Sequence, residues 1–82
     1  MYETTRISEA AALIALGCEL VGTRRARPGT VAFAIDVDLD SEDGRRILST
    51  VKSGEARVRL AEYWAARDRC RQIIRQMMEG RS

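Results

Sequence analysis

The stretch CELVGTRRARPGTVAFAIDVD, residues 18–38, decides the fold. Residues 18–26 and 30–38 are two runs suited to extended backbone, separated by Arg27, Pro28 and Gly29, and that arrangement predicts a β-hairpin. In the second run Val31, Phe33, Ile35 and Val37 alternate with Ala32, Ala34, Asp36 and Asp38. A period of two puts the first set on one face of the strand, which is therefore half buried. In the first run both Cys18-Leu20-Gly22 and Val21-Thr23 are suitable inner faces. A Pro-Gly pair suits a type II turn better than the primed turns of tight hairpins, so a loop longer than two residues is expected.

Upstream, Ser8 is placed to cap a first helix, with Glu9 opposing the positive end of its dipole and Ala10 to Leu16 as strong helix formers. Gly17 is the stop. Alanines at 10, 11, 12 and 15 require whatever packs on this helix to come close. Downstream, Asp40 or Ser41 begins a second helix, Glu42 and Asp43 occupy its first turn, and Gly54 ends it. After a connection over 55–58, Arg59 to Glu79 reads as the longest helix, closed by Gly80. The expected fold is α+β, a single domain over 1–82 in the order α-β-β-α-α. A two-stranded sheet is marginal alone, so its free face and edges are either covered by helices or paired with a second copy in a homodimer.

With 45% apolar and 32% charged residues the chain belongs to the globular class. No apolar run approaches the roughly 20 residues needed to span a bilayer, and the N-terminus lacks a basic region followed by an apolar stretch, so a cytoplasmic location is expected. The net charge of +2 is unevenly spread. Residues 28–54 hold three basic and five acidic groups, whereas residues 55–82 hold seven basic and four acidic, a balance of +3. Of 14 basic residues, 13 are arginine, whose planar fork binds phosphate or carboxylate at two points; codon bias in a GC-rich genome also yields such a composition.

No histidine is present, which removes the commonest general base and transition-metal ligand. The acidic run Asp36, Asp38, Asp40, Glu42, Asp43 fails the calcium-loop pattern, because Ser41 stands where glycine is required and Ile47 where the closing glutamate belongs. Its expected roles are pairing Asp36 and Asp38 with arginines of the neighbouring strand and starting the second helix. No phosphate-cradling glycine loop appears. Cys18 and Cys70 sit inside apolar patterns and are expected as free, buried thiols. The expectation is therefore no catalysis, no metal and no cofactor.

The last helix carries the stronger signal. At 100° per residue Leu60, Tyr63, Ala66, Cys70, Ile73, Ile74, Met77 and Met78 share an apolar arc expected to dock on the hairpin. Trp64, Arg67, Arg71 and Arg75 run down one edge of it at spacings of three, four and four, which stacks them in a row. Such a row suits phosphates, with the indole stacking on a base. It also suits a structural role, with Arg67 covering Trp64 and with Asp68–Arg71 and Arg75–Glu79 as ordinary helix pairs. Arg24, Arg25 and Arg27 on the hairpin extend the basic surface if they fall on the same side.

Residues 11–22 (AALIALGCELVG), 31–35 (VAFAI) and 53–58 (SGEARV), ahead of a basic helix, resemble a family of small uncharacterised prokaryotic and phage proteins defined only as a domain of unknown function. The resemblance implies a helix, a hairpin and a basic C-terminal helix in an accessory protein of a phage or mobile element. Members often carry a Leu-Lys pair in that helix, where this chain has Cys70-Arg71. The function expected is a non-enzymatic accessory or regulatory module contacting nucleic acid through its C-terminal helix. The alternative is a protein-interaction module, such as a small inhibitor of a host defence complex.

Overall fold

A computed structural model describes residues 1–79; the expected helix stop at Gly80 lies outside the described residues. The elements run β1 (Tyr2–Thr4), α1 (Ile7–Ala15), β2 (Leu20–Arg27), β3 (Thr30–Ile35), α2 (Glu42–Ser53) and α3 (Leu60–Glu79). The class is α+β, as the sequence implies, but the sheet has three antiparallel strands in the order β1-β3-β2. The additional strand is the N-terminal Tyr2–Thr4, which makes β3 central. Three strands with one face under helices make an arrangement that a lone hairpin could not sustain.

β3 follows its alternation. Phe33 and Ile35 are completely buried and Val31 and Val37 nearly so. Across the ladder Ile35 faces both Tyr2 and Leu20, and Phe33 faces Thr4 and Thr23, so these side chains share the inner face. Neither simple face of β2 is used. A bulge between Leu20 and Gly22 inserts Val21 as an extra residue, and the inner face passes from Leu20 to Thr23. The hairpin loop is Pro28-Gly29 alone, since Arg27 pairs with Thr30. Gly29 takes φ 82°, as the third position of a type II turn requires, and a second bulge between Arg25 and Arg27 absorbs the twist mismatch that such a turn brings to a two-residue loop. Two bulges and three arginines on β2 also discourage pairing of that edge with another strand.

β1 is tied down by polar contacts. Glu9 Oε1 accepts hydrogen bonds from the Tyr2 hydroxyl at 2.9 Å and from the buried Thr4 hydroxyl at 2.7 Å. The Lys52 ammonium of α2 lies 5.3 Å from the centre of the Tyr2 ring. Thr4 Oγ1 also accepts the Arg6 N–H, and Arg6 rather than Ser8 is the N-cap residue, with no side-chain cap of its own. Ser8 is inside the helix. At the other end Gly17 N–H donates to Ile14 O and Cys18 N–H to Leu13 O, the paired bonds of a Schellman stop.

The buried alanines Ala10 and Ala11 on α1 and Ala66 on α3 allow these two helices to lie side by side. α3 therefore packs chiefly along α1 rather than across the hairpin, and its later turns bring Cys70, Ile73, Ile74, Met77 and Met78 to the core around Phe33 and Ile35. Its first turn leaves the core: Leu60, expected on the apolar arc, is 66% exposed. Among the described residues no helix is long and apolar enough to cross a membrane.

Candidate nucleic-acid interface

Charge on this molecule falls into two groups, one with partners inside the fold and one without. Arg24 belongs to the first. It stands opposite Ala32 on the outer face of the sheet and pairs with Glu3 at 2.8 Å, so the ion pair crosses β3 above Ala32 and Ala34, whose small side chains leave room. Arg24 holds the Glu3 carboxyl below its ordinary range. The expected pairing of hairpin arginines with Asp36 and Asp38 does not occur; β1 supplies the carboxylate instead.

Part of the acidic run is likewise used, although among the described residues the Asp36 and Asp40 carboxylates make no hydrogen bond or ion pair. Asp38 Oδ1 accepts the Asp40 N–H, and the Asp38 carbonyl accepts from both the N–H and the hydroxyl of Ser41. Ser41 in turn caps α2 by accepting the Gly44 N–H at 3.0 Å. Glu42 and Asp43 lie in the first helical turn and both reach Arg46. Among the described residues no three metal-ligating side chains gather in one place.

The cysteines are free, Cys70 buried and Cys18 half-buried. Burial pushes both thiols up, and Asp36 adds to the effect at Cys18, while Arg69 only partly offsets it at Cys70. Thiols so protonated are poor nucleophiles. A cleft of about 300 Å³ between α1, the end of α2 and Tyr63 has Glu9 in its wall. Burial alone would raise the Glu9 carboxyl, but hydrogen bonds from Thr4 and Tyr2, with Arg6 and Lys52 near, outweigh it and hold the group below its ordinary value. That carboxylate is engaged in fastening β1 to α1.

The row on α3 is the second group. Trp64 is 48% exposed, and Arg71 and Arg75 are exposed beside it on a helix of 20 residues. The Arg67 guanidinium lies 5.2 Å from the Trp64 ring centre and 5.9 Å from that of Tyr63, and the two rings meet edge to face at 5.8 Å and 62°. Arg67 therefore does cover part of Trp64. Its Nε is buried with no hydrogen-bond partner, so the rings rather than a carboxylate hold the group in place. The helix pairs foreseen for its neighbours are not formed: among the described residues, neither Arg71 with Asp68 nor Arg75 with Glu79 makes an ion pair.

The hairpin arginines do not extend this row as a unit. Arg24 is on the outer sheet face, whereas Arg25, opposite Val31, donates from Nη2 to the Met77 carbonyl at 3.0 Å. That bond satisfies one of the terminal carbonyls of α3 and places a positive charge at the negative end of its dipole. Two residues that shape the region take places other than those the sequence implied. Leu60, expected on the apolar arc, lies one turn before Trp64 on the same side, and the Arg25 contact bridges 52 positions and has no local signal.

Fold and site together define a small α+β domain with an aromatic and arginine row on its longest helix whose guanidinium groups, among the described residues, meet no carboxylate. No protein-family model, no curated protein and no solved structure matches the chain.

Proposed function

We propose that this chain is a non-enzymatic binding module that contacts nucleic acid through Trp64, Arg67, Arg71 and Arg75. The observation that carries the reading is that, among the described residues, Arg71 and Arg75 stay exposed and without a carboxylate, although Asp68 and Glu79 stand at helical spacing from them. In α2, by contrast, Glu42 and Asp43 at such spacing are both taken up by Arg46. Free guanidinium forks match phosphate oxygens at two points, and the +3 balance of residues 55–82 draws a polyanion to this end of the molecule. An accessory or regulatory role in a phage or mobile element, which the sequence resemblance suggests, belongs to the same proposal.

A second reading has one observation in its favour. Leu60 and Trp64 form an exposed apolar pair next to arginines, and tryptophan and arginine are the residues on which protein interfaces most depend. On that reading the chain is a protein-interaction module, for instance a small inhibitor of a host defence complex. Fluorescence anisotropy with labelled mixed-sequence DNA and RNA at low salt separates the two. The nucleic-acid reading predicts saturable binding that the Arg71→Ala/Arg75→Ala double variant weakens. Absence of binding to every nucleic acid tried, with a stoichiometric protein recovered from the native host, would replace it by the second.

A further inference from the structure

Resting on the nucleic-acid reading, we infer that the ligand of the α3 row is single-stranded nucleic acid, with Trp64 as a stacking platform and Arg71 and Arg75 as phosphate contacts. Arg67 covers one part of the indole and Tyr63 meets it edge-on, so the ring is braced from within the protein while nearly half of the residue remains exposed. A braced, exposed aromatic face is suited to an unpaired base, because every base presents a π-face and an immobilised ring loses little freedom on contact. Bases inside a duplex have both faces occupied by their neighbours, and exposing one costs the stacking that it replaces.

The geometry of the charges agrees with one strand. From Trp64 to Arg75 the row spans about 17 Å along the axis, and Arg67, Arg71 and Arg75 follow at steps of about 6 Å. That is one straight line of cations with an aromatic ring at its end. A backbone running along the line meets guanidinium after guanidinium while its terminal base folds onto Trp64. Stacking on a ring face and contacts to phosphate do not read base edges, so sequence preference is weak.

Trp64 is the only tryptophan in the protein, and its emission therefore reports on the platform directly. The full chain is titrated with oligo(dT), oligo(U) and a mixed-sequence duplex of about 12 nucleotides per strand, a length within the usual site sizes of single-strand binders. Quenching of Trp64 emission by either single strand, with affinity at least about tenfold above the duplex, is expected. The two single strands distinguish DNA from RNA as the source. Trp64→Ala, which has no tryptophan and is therefore followed by anisotropy of a labelled strand after circular dichroism has shown it folded, is expected to weaken single-strand binding by about fivefold or more. Duplex binding as tight as single-strand binding, or binding without quenching, overturns this inference and leaves the broader reading standing. No binding to any of the three overturns both.

Discussion

The loop leading into α2 and the outer row of α3 are both rich in charge, but the fold uses them in opposite ways. Between Asp38 and Arg46, carboxylates and hydroxyls accept backbone N–H groups, cap a helix or pair with an arginine one turn on. Along α3 the guanidinium groups either lean on rings or end in solvent, and the carboxylates within reach go unused. Charges consumed by local structure are explained by that structure. Among the described residues, charges that the fold leaves unpaired lie beside an exposed aromatic ring only in the α3 row.

The contrast predicts that substitutions near α2 damage folding while those on the row do not. The largest effect should come from Gly44→Ala. A Cβ at Gly44 would collide with the Asp38 carbonyl, so the loop and the first turn of α2 cannot keep their present approach. A loss of about 1–3 kcal/mol is expected, measured by urea denaturation. Ser41→Ala removes the cap on the Gly44 N–H and should lower stability by about 1 kcal/mol in the same measurement.

Glu9 tests the polar fastening of β1. Its carboxyl is held below the ordinary glutamate value, so its stabilising contribution is present above the unfolded value near about 4.3 and is lost as pH falls through the lower folded value. Thr4→Val removes one donor and should cost about 1 kcal/mol at neutral pH. Urea titrations of both proteins across the acid range should find the difference shrinking as Glu9 protonates. Smallest of all, Arg71→Ala/Arg75→Ala should leave stability within about 0.5 kcal/mol of the parent, since neither side chain has a carboxylate partner among the described residues.

Where a side chain's role is set by near neighbours, it could be read from the sequence. The alternation Val31-Phe33-Ile35-Val37 marked a half-buried strand, Asp40 or Ser41 and Gly54 bounded α2, with Ser41 the cap, and the alanines of α1 announced a close-packed partner. What the sequence hid depends on distant residues. β1 has only three residues, and it is a strand because β3 pairs with it and Glu9 holds its hydroxyls. The bulge at Val21 breaks the alternation on which a choice of face relies. Arg24 found Glu3, 21 positions away, instead of a carboxylate on the next strand, and that choice separated it from Arg25. The α3 row was legible as a line of residues. Its lack of partners was not, because helical spacing favoured pairs with Asp68 and Glu79 that the structure does not form.

The most direct test of the central claim, that the α3 row meets phosphates, is the salt dependence of nucleic-acid affinity for the parent and for Arg71→Gln/Arg75→Gln. With Arg71 and Arg75 as the phosphate contacts on a single strand, the logarithm of affinity should fall against the logarithm of salt with a slope of about −1.4, and losing both should flatten it towards zero. An unchanged slope in the double variant, or a parent affinity indifferent to salt, would contradict the claim.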